Sequence, residues 1–200
     1  MTAIGLTGNF GMGKSTVLHI MKEAGLHVFS ADVMVHDLLL TPSVIKQVKN
    51  LLGPEVISKH SAVEILDHKA IAECIFTDAK KRKGLEAILH PEVLNLIKTT
   101  TARLYKKNPQ AIVVYEVPLL FEAGYADIFD TKIVVFTTKK TALSRLLKKK
   151  FTERDFNIRT RTQMPITAKK KLADYCIDNN GDLFSTKRRV NRVLKRLNLL

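Results

Sequence analysis

The amino-acid sequence predicts an α/β fold of three layers, a five-stranded parallel sheet flanked by helices. Two patterns and one motif predict it. Short apolar runs recur at 3–7, 26–32, 111–117, 131–137 and 175–178, separated by stretches with helical spacing. The runs at 111–117 (AIVVYEV) and 131–137 (TKIVVFT) are apolar almost throughout, as in strands covered on both faces. Between the first run and the first helical stretch lies GNFGMGKS at 8–15, which reads G-x-x-x-x-G-K-S.

That motif is a phosphate loop, and its position after a strand and before a helix makes the predicted fold P-loop NTPase-type. Gly8, Gly11 and Gly13 let the backbone turn tightly and bring several N–H groups to phosphate oxygens. Lys14 can reach the outer phosphates, and the Ser15 hydroxyl can ligate Mg²⁺. Thr16 to Ala24 contains no helix breaker, and Gly25 closes the helix. Leu26–Asp32 (LHVFSAD) is the second strand and completes a βαβ unit with parallel strands. Ligands of such sheets bind at the carboxyl ends of the strands, so Asp32 is expected at the crevice that Lys14 faces. A carboxylate there can take a proton from an attacking hydroxyl or hold Mg²⁺; equally, it can cap a helix starting near Val33.

Residues 33–105 read as a helical insertion of the lid or acceptor-binding kind. Val44, Ile45, Val48, Leu51 and Leu52 recur at helical spacing, and Gly53-Pro54 ends that helix. A second helix is predicted at 67–76 with Asp67 as cap, and a third at 78–89. His90-Pro91 then breaks the run, and Pro91 opens a further helix carrying Val93, Leu94, Ile97 and Leu104 inward. His90 is either a substrate contact or a helix-end residue. The strand at 111–117 ends near Glu116, a candidate second ligand for Mg²⁺ beside Ser15. After the strand at 131–137 come a basic helix at 141–150, a turn at 151–154 and a helical piece at 155–164, together a lid of about 139–170. Arg145, Lys148, Lys149, Arg159 and Arg161 could close over phosphates, or form a solvated basic hairpin. Tyr175–Asp178 is the last strand, Asn179-Asn180-Gly181 a turn, and Lys187–Leu200 an amphipathic basic helix.

Composition narrows the function classes. The 200 residues make one domain, 1–200, with no repeat or flexible linker. No run of 18 apolar residues exists, so no membrane span is predicted. The chain begins directly with a strand, and a cytoplasmic protein is expected. Cys74 and Cys176 sit in apolar surroundings and read as two buried free thiols. Cys/His zinc spacing, a G-x-S-x-G elbow and a guanine-reading N-K-x-D are all missing. The net charge of +14 is lopsided: residues 1–138 hold 15 basic and 14 acidic side chains, residues 139–200 hold 18 and 5. Such a tail could grip nucleic acid or surround a small polyanionic substrate. Aromatics are sparse, without the interleaving that base stacking uses, so the small substrate is placed first.

The chain resembles the dephospho-CoA kinase family. The resemblance rests on GLTGNFGMGKST at 5–16, SAD at 30–32, LEAILHPEV at 85–93, VPLLFE at 117–122, RTRTQMP at 159–165 and ADYCIDNNG at 173–181. It implies ATP-dependent, Mg²⁺-assisted phosphorylation of the ribose 3′-hydroxyl of dephospho-CoA, giving coenzyme A and ADP. It implies that Gly11, Met12, Gly13, Lys14, Ser15 and Thr16 hold ATP, and that Asp32 is the base. It implies that His90, Pro118, Leu119, Leu120, Phe121 and Glu122 face the acceptor, that Arg159 belongs to the lid, and that Asn179 lies near the adenine. The expected partners are the small molecules ATP and dephospho-CoA, with the protein a monomer or weak homo-oligomer. The chain departs from the family's usual GGIGSGKS at Asn9, Phe10 and Met12. It also carries Lys148-Lys149-Lys150 where the lid of the family usually has an Arg-Asp or Arg-Asn pair after the helix.

Overall fold

The structure, a computed structural model, describes residues 2–58 and 63–199. In chain order the elements are β1 (Thr2–Thr7), α1 (Lys14–Glu23), β2 (His27–Ser30), α2 (Ala31–Leu38), α3 (Pro42–Leu52), α4 (His68–Thr77), α5 (Ala79–Lys107), β3 (Ile112–Glu116), β4 (Thr131–Phe136), α6 (Lys139–Lys148), α7 (Glu153–Arg161), α8 (Ile166–Leu172), β5 (Tyr175–Asp178) and α9 (Leu183–Arg196). They fall into two compact units. One is the chain up to Ser30 together with Leu104 onward; the other is Ala31–Arg103.

The first unit holds the whole sheet, with strand order β2-β3-β1-β4-β5 and every pair parallel. β3 therefore lies between β1 and β2. The register places Leu6 opposite Glu116 and Ser30 opposite Glu116, so the carboxyl ends of β1, β2 and β3 are level. Strand side chains alternate between faces. Ile4, Leu6, Val114, Ile133, Val135 and Ile177 point to one face, where they pack with Val17, Ile20 and Met21 of α1 and Val190, Val193 and Leu194 of α9. On the opposite face Tyr115 meets Phe29 and Phe129. Gly5 belongs to this face: a Cβ there would run into Leu120 and Phe129, so the central strand needs glycine for the aromatic layer to close. Phe136, one residue past Val135, carries the Lys170 ammonium of α8 4.0 Å from its ring centroid. A small satellite core of Ala142, Leu146 and Phe156 joins α6 to α7, with Phe10, Leu143 and Phe151 packed against it.

Among its described residues the second unit is mainly helical, with a 3₁₀ turn at Pro54–Val56 and a β-bridge between Ile57 and Leu66. Thus the helical reading of 33–105 holds for most of the stretch, and residues 59–62 lie outside those described. Asp67 caps α4 as expected, accepting from the N–H groups of Lys69 and Ala70. Pro91 corrects the prediction of a break. It lies inside α5, a continuous helix of 29 residues. A proline within a helix forfeits one backbone bond, here to Ala87. Leu85, Leu89, Val93 and Ile97 are all buried and four residues apart, an apolar ridge that runs past the defect and favours continuation of the helix. Leu94 and Leu104 are only half-buried.

Other expectations also need adjusting. β2 stops at Ser30, so Asp32 is not a strand-end residue; it lies in the first turn of α2. α9 starts four residues earlier than predicted, because Asp182 caps it by accepting from Ser185 N–H. α7 starts at Glu153, where Thr152 and Asp155 form a reciprocal capping box. α8 was not predicted. The cysteines are free, but Cys176 is exposed and Cys74 half-buried, not both buried. Cys176 is on edge strand β5, facing away from Ile177, which is the residue that enters the core. Among the described residues no helix is long and apolar enough to cross a membrane.

Candidate active site

The loop between β1 and α1 is built for close approach. Gly13 occupies the position before the helix with φ 82°, in the left-handed region, and no side chain caps α1. A Cβ on Gly13 would collide with the Asn179 amide. The positive end of α1, with no acidic residue in its first turn, is left open to an anion. Lys14 is the first residue of α1, and its ammonium lies 3.9 Å from Oε1 of Glu116 at the end of β3. Their side chains are 11% and 15% exposed, so the pair lines the loop without being sealed off. Ser15 and Thr16 are exposed on the same first turn.

Asn179, expected near the adenine, is 2% exposed and works beneath the loop. Its Nδ2 donates to the Met12 carbonyl at 2.9 Å, and its Oδ1 accepts from the Thr186 hydroxyl at 2.8 Å. Met12 is held from its other side by the Thr137 N–H, 3.0 Å from the thioether sulfur. Arg145 of α6 reaches the same place, donating to the Gly181 carbonyl at 3.2 Å. Arg159 is not among the phosphate-loop N–H groups. Its guanidinium stacks 4.8 Å from the ring centroid of Phe10 and 5.6 Å from that of Phe151, and these two rings meet edge to face at 5.3 Å. Phe10 supplies this seat from one of the loop positions at which the chain departs from GGIGSGKS.

The segment Pro118–Glu122 divides. Leu120 is fully buried against Gly5, a core position and not a surface that an acceptor can touch. Glu122 is engaged within the protein, accepting from Met164 N–H at 2.8 Å and pairing with the Lys169 ammonium at 2.9 Å. Leu119 is exposed, while Pro118 and Phe121 are half-buried. His90 is half-buried in the middle of α5, one turn before Leu94, and so is not a helix-end residue. Lys169 went unnoticed in the sequence because Lys169-Lys170-Lys171 reads as a solvated run. Among the described residues no three His, Cys, Asp or Glu side chains gather as a metal cluster. The Ser15 hydroxyl and the Glu116 carboxylate are hard oxygen donors, the chemistry Mg²⁺ prefers.

Comparison with known proteins settles the family. A sequence model described as dephospho-CoA kinase matches residues 2–185. The chain belongs to the dephospho-CoA kinase family. A dephospho-CoA kinase of Aquifex aeolicus is 34% identical over 198 residues, covering 98% of each chain. Among solved structures, TT1252 from Thermus thermophilus superposes with a TM-score of 0.84 at 31% identity, covering 98% of this chain and 97% of that one. Dephospho-CoA kinase from Campylobacter jejuni gives 0.72 at 26%, covering 98% and 96%. The five-stranded parallel sheet with flanking helices is thus the family fold, and the reaction of dephospho-CoA kinases is ATP-dependent phosphorylation of dephospho-CoA to coenzyme A.

Proposed function

We propose that this chain transfers the γ-phosphoryl group of ATP to the ribose 3′-hydroxyl of dephospho-CoA, giving coenzyme A and ADP. The observation that carries this reading is the open positive end of α1 beside Lys14 and Glu116, in a chain matched to the family over nearly its whole length. The N–H groups of Gly11 to Thr16 bind the β- and γ-phosphates, and Lys14 turns from Glu116 toward them. Ser15 and Glu116 fit Mg²⁺, which usually takes one or two protein oxygens with phosphates and water completing its shell. When bound, it neutralises charge between the β- and γ-phosphates. Asp32 accepts the proton of the 3′-hydroxyl as that oxygen bonds to the γ-phosphorus and the bond to the ADP oxygen breaks. Arg159 leaves its aromatic seat to stabilise the transferring group as the lid, 139–170, comes down.

The insertion 33–105, with His90, contributes acceptor binding, together with Pro118, Leu119 and Phe121. Asn179 serves ATP through Met12 rather than through the base. Two free thiols fit a reducing cytoplasm, and a monomer or weak homo-oligomer suffices for the chemistry. The test is ADP release with dephospho-CoA set against a panel of nucleosides and nucleotides. Turnover at least as fast with another acceptor overturns the assignment.

One observation favours a second reading. Arg188, Arg192, Lys195 and Arg196 are exposed along one helix, α9. A nucleic-acid-gripping ATPase would show tight duplex binding with a steep salt slope in an electrophoretic assay. The kinase reading expects weak binding, abolished by ATP plus acceptor.

A further inference from the structure

Lysine is almost never fully buried unless paired, and Lys169 is 0% exposed. Its ammonium stands at a junction. It donates to the Pro118 carbonyl at 2.8 Å, and that same carbonyl accepts from the Thr7 hydroxyl at 3.1 Å. Thr7 is the last residue of β1, immediately before Gly8, where the loop begins. The ammonium also pairs with Oε1 of Glu122 at 2.9 Å, and that oxygen accepts from Met164 N–H at 2.8 Å. Met164 in turn offers its carbonyl to Asn9 Nδ2 at 3.2 Å, and the adjacent Gln163 offers Oε1 to Phe10 N–H at 2.9 Å. Two branches therefore leave one buried cation. One reaches the start of the phosphate loop, and the other reaches its crest.

A packing role alone does not call for an ion pair here. A buried pair gains little over an apolar pair of the same volume. Burial lowers the Lys169 pKa below the usual lysine value, while its hydrogen bond and charge interaction with Glu122 act to raise it. What the pair supplies is direction: it aims two acceptors, Pro118 O and Glu122 Oε1, at groups attached to the loop. We propose that Lys169 is a positioning residue for ATP, holding the phosphate loop in register through Pro118–Thr7 and through Glu122–Met164–Asn9. The proposal rests on the reading of residues 8–16 as the ATP site.

The test compares wild type, Lys169→Met, Asn9→Ala, Gln163→Ala and the double variant Glu122→Gln/Lys169→Met. ATP binding is measured calorimetrically with Mg²⁺, and KM and kcat are measured for each substrate. Lys169→Met should raise the Kd and KM for ATP about tenfold, the usual scale for losing a group that orients a binding element. The KM for dephospho-CoA should move clearly less than that for ATP, since Lys169 touches the acceptor side only through the Pro118 carbonyl, and kcat should stay within about threefold. Combined with Asn9→Ala, the loss should be smaller than the product of the two, because both cut one branch. In Glu122→Gln/Lys169→Met the glutamine oxygen still accepts from Met164 without a buried charge, but Pro118 keeps no ammonium donor, so the ATP KM should recover only in part; a full return to the wild-type value overturns the proposal. A folded Lys169→Met with a lower melting temperature and wild-type ATP KM overturns the proposal, as does full multiplicativity with Asn9→Ala. Should Lys169→Met not fold, Asn9→Ala and Gln163→Ala decide, and unchanged ATP KM in both overturns it. Lys14→Ala separates the underlying reading: if ATP affinity ignores that change, the loop is not the ATP site, whatever Lys169 does.

Discussion

Replacing Asn179 by alanine tests whether this residue shapes the loop or touches the nucleotide. The change removes two hydrogen bonds, to the Met12 carbonyl and from the Thr186 hydroxyl. Thr186 keeps a second acceptor, the Asp182 carbonyl at 3.1 Å, so it is not stranded. The Met12 carbonyl loses its amide donor in a buried setting, which costs about 1–3 kcal/mol, and the lost net bonding adds about 1 more. A total of about 2–4 kcal/mol lowers the melting temperature of a chain this size by roughly 5–15 °C. Asn179→Asp is the sharper variant. It still accepts from Thr186 but turns a carboxylate oxygen toward the Met12 carbonyl, so it should be at least as damaging as alanine despite its near-identical shape. Both variants should also weaken ATP binding, since Met12 adjoins Gly13. The assays are thermal unfolding with and without ATP, and titration with ATP. A melting temperature within about 1 °C of wild type in both variants, with only ATP binding impaired, refutes the reasoning and returns Asn179 to the adenine.

Other outcomes follow from the same geometry. Lys14→Ala should fold normally and lose about 10²–10³ in kcat, measured by ADP release; near-normal turnover would falsify the role of the loop. Asp32→Asn should bind both substrates yet transfer about 10²–10⁴ more slowly, and if it unfolds at assay temperature its role is to stabilise the start of α2. Pro91→Ala should raise stability by about 1–3 kcal/mol by restoring a backbone bond to Ala87, read by thermal unfolding; a loss would mean that α5 needs the proline. The Asp155 carboxyl lies below its usual pKa because of its bonds with Thr152. Its contribution to α7 is therefore complete above the ordinary aspartate value near 4 and lost as pH falls through the lower folded value. Amide exchange in α7 should keep its protection at pH 5 and lose it in stronger acid, and Asp155→Asn should remove that acid limb.

Several features could be read from residue order alone, because local rules and tertiary packing agree in them. Tyr175–Asp178 is a strand as predicted, Asp67 caps its helix, and Gly25 closes α1. The misses at Pro91 and Lys169 share one cause, tertiary packing overriding a local signal, whereas the early starts of α7 and α9 are set locally by the caps at Thr152 and Asp182. Pro91 is a breaker by propensity, but its helix is carried by the Leu85–Leu89–Val93–Ile97 ridge. Lys169 belongs to a run that looks solvated, and only the register of a seven-residue helix turns it inward while Lys170 and Lys171 stay outside. The acid of PLLFE was legible as important, but the sequence holds no sign that its partner lies 47 positions later. Cys176 looked apolar by its neighbours, yet alternation on an edge strand faces it outward.

The contact between Lys14 and Glu116 has a thermodynamic corollary. In the proposed enzyme, a resident carboxylate shares the ammonium that the incoming triphosphate must claim, so binding is an exchange of one anion for another. Such a lodger keeps the lysine oriented between turnovers and discourages stray phosphate from settling there. Were Mg²⁺ to arrive with the nucleotide, as proposed, the carboxylate of Glu116 would gain a counter-charge as Lys14 turns to the phosphates. Removing its charge, as in Glu116→Gln, should therefore strengthen binding of metal-free ATP while weakening the preference for the magnesium complex.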